Sequence, residues 1–363
     1  MRTDDTYWMN RCLILARKGR GSVSPNPLVG AVIVKNGRKL GEGYHQFFGG
    51  PHAEVNAVSD ALSRKHILAG ATIYVNLEPC SHFGKTPPCV DTLIRYGFSR
   101  VVIAMKDPNP LVSGKGIAKL KEHGISVTIG ILRSEAEFLN ESFITSITTQ
   151  RPFIALKAAQ TSDGYIARPD GTSQWITNER SRALVHRLRS EFDAVVVGAG
   201  TVKQDDPELT VRTGAGRNPV RVIIDGNFSV PVKRKIFNKK SRTIIYISAA
   251  ASDHEKKKMK LLISQGITVI PLSSVNGMLD LRLVAADLYR RNIASLLVEG
   301  GAHTYESFLN AKLTEKIYLF TAKKKFGSGI KTFKKLSVSY KKIMVSERSF
   351  GSDRLQEFRI TFP

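Results

Sequence analysis

The sequence predicts an α/β protein of two domains. Three observations carry that reading. The chain has 363 residues, more than one ordinary domain and about right for two. Short β-branched apolar runs alternate with stretches of helical periodicity along most of its length. The alternation breaks once, at "SFITSITTQRP" (142–152), and then starts again. The break marks a linker, dividing the chain into domains 1–147 and 148–363.

In the first domain "TYWMNRCLILARKG" carries apolar residues at helical spacing and ends on glycine. "LVGAVIVKNGRKLGEGYH" reads as two strands joined at Asn36-Gly37, a strong hairpin turn. "AEVNAVSDALSRK" is a helix, "ATIYVNLEP" a strand, "CVDTLIRYG" a helix and "RVVIAM" a strand. "GIAKLKEHG" and "ISVTIGIL" add a last helix and strand. After the first helix the order is β-β-α-β-α-β-α-β, a sheet flanked by helices. The second domain opens on "FIALKAAQTSDGYIA" and continues through "DAVVVGAGTV", "PVRVIIDGN", "RTIIYIS", "ITVIPLS" and "ASLLVEGG", with helical segments between. No internal repeat or long low-complexity segment interrupts either half.

Composition narrows the function classes. The chain is 42% hydrophobic and 24% charged, has a mean hydropathy of −0.14, and shows no apolar run of membrane-spanning length. The opening "MRTDDTYWMN" is acidic where a signal peptide is basic and apolar. A cytoplasmic protein with reduced thiols is expected, which disfavours a disulfide among its three cysteines. The formal charge of +24 is uneven: residues 1–150 carry a net +6 and the remainder +18. Much of the excess lies in lysine runs such as 256–258 and 323–325, expected to be solvated surface without aromatic interleaving. Specific nucleic-acid binding and a membrane partner are therefore not expected, and self-association is left open.

Two cysteines fall in one loop, "LEPCSHFGKTPPCVDTL" (77–93), each directly after a proline. Upstream, "PHAE" (51–54) places His52 and Glu54 at the start of a predicted helix. H-x-E followed by P-C-x-x-C is the signature of zinc nucleobase deaminases, and this pattern resembles it with eight residues instead of two between the cysteines. Imidazole and two thiolates suit zinc, and a catalytic site uses three protein ligands with one position left for water. His52, Cys80 and Cys89 supply those three. Each is expected at or near a helix start, where free N–H groups and the dipole favour thiolate. Glu54 lies two residues from a ligand, placed to take the water's proton and return it to the ring nitrogen and departing amine. Cys12 has no such company and reads as a buried helical thiol.

Longer motifs then carry a family resemblance. "SPNPLVGAVIV", "HAEVNAV", "EPCSHFGKTPPCVDTLI" and "DPNPLVSGKGIAKLKEHGI" in the first half, and "FIALKAAQTSDGYIA", "SQWIT", "VGAGTVKQDDPELTVR" and "LLVEGGAHTYESFL" in the second, closely resemble the bifunctional riboflavin-biosynthesis deaminase–reductases. The resemblance implies a cytidine-deaminase-like α/β/α sandwich followed by a dihydrofolate-reductase-like α/β domain. It implies two reactions. A zinc-dependent deaminase would hydrolyse the 2-amino group of 2,5-diamino-6-(5-phosphoribosylamino)pyrimidin-4-one. A reductase would then use NADPH to convert ribosyl to ribityl, giving 5-amino-6-(5-phosphoribitylamino)uracil. It further implies deaminase substrate contacts at Asn26, His45, His82, Lys85, Asp107 and Asn109. NADPH would lie near Ala159, Trp175, Thr201 and Asp205 and along Gly301, Ala302, His303, Thr304, Tyr305, Glu306 and Ser307. Reductase substrate would lie near Ser173, Arg189, Leu209, Arg212 and Glu299, with the two arginines suited to bidentate phosphate binding.

The residues fit that implication. "LLVEGGAHTYESFL" reads as strand, double glycine, helix, an arrangement that lets backbone N–H groups approach a pyrophosphate. "VGAGTV" offers G-x-G after a strand without the full dinucleotide fingerprint, so it predicts no Rossmann site. A nucleic-acid deaminase is opposed by the wide cysteine spacing, the whole second domain, and a basic excess in the half without the zinc motif. A structural zinc module with a nucleic-acid-binding tail would need a fourth ligand and would leave Glu54 idle. A descendant with a decayed reductase is opposed by the intact motifs at 198–212 and 298–308.

Overall fold

The computed structural model describes residues 4–83, 87–110, 112–212, 216–333 and 336–363. The chain forms two compact units, residues 1–150 and 151–363.

In the first unit, α1 (Asp5–Ala16) begins where the Asp4 carboxylate accepts the Thr6 N–H at 3.0 Å, a cap worth about 1 kcal/mol. Its buried face carries Met9, Leu13 and Cys12, whose thiol donates to the Tyr74 carbonyl at 3.3 Å. β1 (Gly30–Lys35) and β2 (Arg38–Tyr44) form the expected hairpin. Asn36 and Gly37 both take positive φ, 50° and 74°, as a two-residue turn matched to strand twist requires. α2 (Ala53–Ser63), β3 (Thr72–Leu77), α3 (Cys89–Arg95), β4 (Arg100–Met105), α4 (Lys115–Glu122) and β5 (Ser126–Ile129) follow in the predicted order.

The sheet order is β2-β1-β3-β4-β5, with β1 antiparallel to both neighbours and β3, β4 and β5 mutually parallel. The C-terminal ends of β3 and β4 therefore open side by side, the edge at which such sheets place ligands. α2 is seated directly on β2. A Cβ at Gly43 would stand 2.4 Å from the Ala57 nitrogen, and one at Gly41 2.5 Å from the Ala57 carbonyl. This close approach fixes where the first turn of α2, with His52 and Glu54, meets the sheet.

The expected linker, 142–152, is helical over most of its length and contains the boundary between the units near its end. After α5 (Arg133–Leu139), residues 141–149 form α6 (Glu141–Thr149), and the units divide between Gln150 and Arg151. The threonine-rich stretch has weak helix propensity of its own, but Phe143 and Ile144 pack on the first unit's core. Asn140 binds both the N–H and the carbonyl of Leu28, at 2.8 and 3.1 Å. Tertiary packing overrides local preference here.

The second unit begins with β6 (Phe153–Gln160), β7 (Tyr165–Ala167), α7 (Glu179–Glu191), β8 (Ala194–Gly198) and α8 (Ala199–Asp205). β9 (Val220–Ile224), β10 (Thr243–Ser248), α9 (Ala249–His254), α10 (Lys256–Ser264) and β11 (Thr268–Leu272) continue it. Next come the small hairpin β12 (Ser274–Val275) and β13 (Met278–Leu279), then α11 (Leu281–Arg290), β14 (Ser295–Val298), α12 (Ala302–Asn310) and β15 (Lys316–Thr321). β16 (Ile330–Lys331) pairs with β7, and β17 (Lys341–Phe350) and β18 (Asp353–Thr361) close the chain.

The main sheet has nine strands in the order β11-β10-β9-β8-β14-β6-β15-β18-β17. It is parallel from β11 to β15 and antiparallel at β18 and β17. Every residue of β10 is buried, as expected for a parallel strand covered on both faces. The terminal hairpin has no counterpart in the sequence reading: β17 is exposed almost throughout and lacks apolar alternation. Of the lysine runs, 323–325 is exposed as expected. Lys258 departs from that expectation. Its ammonium lies 4.3 Å from the Phe228 ring centroid and donates to the Phe228 carbonyl. Among the described residues no helix is long and apolar enough to cross a membrane.

Candidate active sites

In the first unit, β3 and α2 bring together the residues the cysteine motif singled out. Their ligand atoms, one each from His52, Cys80 and Cys89, all lie within 4.8 Å of one another. The His52 Nδ1 is 3.2 Å from the Cys89 Sγ and 3.5 Å from the Cys80 Sγ. A tetrahedral zinc with Zn–N about 2.0 Å and Zn–S about 2.3 Å holds its ligand atoms roughly 3.5–3.8 Å apart. The donor set and its spacing fit zinc.

His52 is the N-cap of α2 and Cys89 opens α3, as expected. Cys80 does not head a helix; it sits in the loop after β3. The α3 terminus nevertheless reaches it, because the Cys89 N–H donates to the Cys80 Sγ at 3.3 Å. Without metal the two sulfurs differ. The hydrogen bond from the Cys89 thiol, opposed by burial and aided by His52, holds Cys80 down at about 4. Cys89 is pushed well above the ordinary thiol value by the same hydrogen bond and by burial. Both sulfurs must be thiolate to hold zinc, so metal binding displaces whatever protons they carry. Cys80→Ser and Cys89→Ser are each expected to cut zinc affinity by more than the roughly 10–100-fold typical of losing an outer-shell partner. Metal analysis at limiting zinc checks this, and full loading of the double mutant would contradict it.

Glu54 is the second residue of α2 and only 3% exposed. Burial pushes its carboxyl up to about 7 against the pull of the His52 charge. It lies beside the ligand cluster without belonging to it, the position and proton affinity a general acid–base group needs near neutral pH.

The residues expected to contact the pyrimidine are partly tied to one another. The His45 Nδ1 faces the Pro51 carbonyl at 3.0 Å; a carbonyl only accepts, so that nitrogen carries the proton. The Nε2 then accepts from the Asn26 Nδ2 at 3.1 Å, which directs the Asn26 oxygen away from the ring. His45 is buried, both its nitrogens are engaged, and burial keeps its pKa below the ordinary value. His82 is exposed and near enough for its charge to act on Asp107, whose carboxyl burial raises. Asp107 in turn accepts the Asn109 N–H at 2.8 Å. Lys85 lies outside the described residues.

The second unit holds a cavity of about 1430 Å³. On one side the N-termini of α8 and α12 open onto it, each with a glycine N-cap, Gly198 and Gly301, that offers no side-chain cap. The backbones approach closely. A Cβ on Gly198 would stand 2.6 Å from the Thr304 Oγ1, and one on Gly300 2.5 Å from the Thr304 Cβ. Bare backbone N–H groups at two helix starts suit the pyrophosphate of a nicotinamide dinucleotide. Ala159, Trp175, Thr201, Asp205, Ser307 and residues 301–305 line this cavity; Glu306 is not among its lining residues. Tyr305 also ties α12 to β6, its hydroxyl donating to the Lys157 carbonyl at 2.7 Å.

All five expected reductase-substrate residues line the same cavity. Burial raises the Asp205 carboxyl, with Ser173 acting in the opposite direction. Leu209 is buried with φ of 54°, a backbone conformation costing on the order of 1–3 kcal/mol. The Arg189 fork, expected near the substrate phosphate, pairs here with a carboxylate. Its Nε reaches one Glu299 oxygen at 2.5 Å and an Nη the other at 3.0 Å. Burial alone would raise Glu299, but Arg189 and then Lys157 hold it at about 2.

Lys157, missed in the sequence, stands 3.6 Å from Glu299 and is half-buried, with its pKa lowered chiefly by desolvation. The signal was one lysine interrupting "FIALKAAQ", a strand whose other early positions are buried.

Residues 2–105 match the family described as "Cytidine and deoxycytidylate deaminase zinc-binding region", and residues 152–353 match "RibD C-terminal domain". The riboflavin biosynthesis protein RibD of Aquifex aeolicus is 45% identical over 331 residues, 91% of this chain and 90% of that protein. Its counterpart in Escherichia coli is 39% identical over 337 residues, 89% of each. A crystal structure of a diaminohydroxyphosphoribosylaminopyrimidine deaminase/5-amino-6-(5-phosphoribosylamino)uracil reductase from Thermotoga maritima superposes with a TM-score of 0.88 at 41% identity, covering 98% of this chain and 99% of that one.

Proposed function

We infer what this chain does from one premise: it belongs to the family of bifunctional riboflavin-biosynthesis deaminase–reductases. It removes the 2-amino group of 2,5-diamino-6-(5-phosphoribosylamino)pyrimidin-4-one by hydrolysis. It then reduces the ribosyl group with NADPH to give 5-amino-6-(5-phosphoribitylamino)uracil. The observation that carries the reading is the convergence of His52, Cys80 and Cys89 beside a buried carboxyl that is not a ligand.

A bound zinc supplies Lewis acidity that makes water a nucleophile near neutral pH. Glu54 takes the proton of the attacking water, passes it to the ring nitrogen next to C2, and returns a proton to the departing amine. Ammonia leaves and the carbonyl remains. Asn26, oriented by His45, together with Asp107 and Asn109, holds the pyrimidine, and His82 and Lys85 serve the phosphate end. In the second unit the glycine loops before α8 and α12 seat the cofactor. With the Arg189 fork paired with Glu299, Arg212 is the other expected arginine and the one offered to the substrate phosphate. A bound nicotinamide would supply the hydride that C1′ needs, and Lys157, its pKa lowered, provides the accompanying proton.

The test supplies the diaminopyrimidine phosphate with and without NADPH and identifies products by mass. Without NADPH, one nitrogen should be exchanged for oxygen; with it, the product should also gain two hydrogens. A chain that yields neither product defeats the reading. Lys157→Met is expected to slow reduction about 10²–10⁴-fold while deamination by the same molecules stays at the parent rate. Normal reduction by this variant would remove Lys157 from the proton path.

The phosphorylated pyrimidine is the partner this reading requires, and no specific nucleic-acid partner is part of it. The three free thiols point to a reducing compartment, the cytoplasm.

A further inference from the structure

Glu78 is a buried carboxylate to which the two reactions assign no task. It follows β3, two residues before Cys80, and is 5% exposed. Four backbone N–H groups converge on it. Asp107 and Gly114 donate to Oε2 at 3.2 and 3.0 Å, and Gly116 and Ile117 donate to Oε1 at 3.0 and 3.2 Å. Its own N–H donates to the Met105 carbonyl at 3.0 Å.

Each donor has a reason to need it. Gly116 and Ile117 lie in the first turn of α4, where N–H groups have no partner inside the helix. Gly114, the N-cap of α4, has no side chain to serve them. Glu78 therefore caps α4 from another strand. The fourth donor, Asp107, begins the stretch whose carboxylate accepts the Asn109 N–H. One line of hydrogen bonds thus runs from the residue before Pro79 and Cys80 to Asp107 and on to Asn109.

We propose that Glu78 is a positioning residue for the deamination: it sets the substrate-holding stretch 107–109 in register with the Cys80 ligand. This rests on the deaminase reading above. The acceptor demand accounts for the residue type. Four donors need a group that only accepts, with about four lone-pair sites, and a carboxylate is that group. Glutamine has the same shape but presents an NH₂ to two of the four N–H groups, either the Asp107–Gly114 pair or the Gly116–Ile117 pair.

The test is Glu78→Gln in the full chain, with zinc content and both activities measured on one preparation. Expected is a KM for the diaminopyrimidine phosphate raised about tenfold or more, as befits buried donors left unpaired. Zinc content and reduction of the pre-deaminated intermediate should be unchanged. A merely structural role would lower the active fraction and leave KM alone, and that result overturns the proposal. Should the variant fail to fold, amide exchange in the parent decides. The Gly116 and Ile117 amides should exchange at least about 10²-fold more slowly than open-loop amides, and loop-like exchange overturns the proposal. A parent chain that binds zinc but never deaminates defeats the deaminase reading instead; the amide measurement still tests the Glu78 contacts.

Discussion

Glu54→Gln is expected to bind zinc like the parent and to deaminate at least about 10²–10⁴-fold more slowly, the range a general acid–base group supplies. The expectation follows from position. Glu54 sits in the first turn of α2, next but one to the ligand His52, and is almost wholly buried. Its carboxyl, near 7, lies where a group can both take and return a proton. Three ligands already complete the protein's share of a catalytic zinc site. Glutamine preserves volume and hydrogen-bonding shape and removes only the proton exchange. Metal content and ammonia release, measured together, separate the outcomes. Near-parent ammonia release from zinc-loaded mutant would take Glu54 out of the proton path, and loss of zinc would make it a ligand.

Stripping zinc is expected to abolish deamination and to spare reduction. Among the described residues, the one trio able to hold a metal lies in the first unit. The cavity of the second unit is furnished differently. Lys157, Arg189 and Glu299 form a part-buried ionic cluster, and the His186 Nδ1 is 3.1 Å from the Thr210 carbonyl. Hydride transfer needs placement and charge complementarity, which such groups give without a metal. The measurement supplies pre-deaminated intermediate and NADPH to metal-free protein and follows nicotinamide absorbance. Folding must be verified first, because losing a metal can unfold its domain. If folded, metal-free protein fails to reduce and added zinc restores reduction, a single composite site must replace the two-site account.

Legibility in the sequence tracked how local each cause is. His52, Cys80, Cys89 and Glu54 were readable because ligand chemistry restricts residue type and spacing within short motifs. That Cys80 borrows the terminus of α3 was not, since the Cys89 N–H comes from beyond the loop. α1 to β5 followed from period and turn residues. α6 did not, because Phe143 and Ile144 are helical for the sake of a core assembled from distant strands. The β17–β18 hairpin escaped notice because an exposed edge strand has no apolar alternation to display. Arg189 and Glu299 were both expected near the reductase substrate, but their pairing with each other was not legible. The carboxylate lies in the Glu299 loop, far along the chain, and only folding brings the two together.

The contact between Thr304 and the two glycine loops bears on the history the sequence could have had. At position 198 an alanine methyl would collide with the Thr304 hydroxyl alone, the next nearest atom being 3.9 Å away. Thr304→Ala therefore opens Gly198→Ala, whereas the reverse order passes through a clashing intermediate. At position 300 the obstacle is the Thr304 Cβ itself, so alanine at 304 gives no relief and only glycine there would. One side chain thus makes the fate of two other codons contingent on its own, permissive for one and restrictive for the other. Lineages drifting at these positions would be expected to show ordered, not independent, replacements.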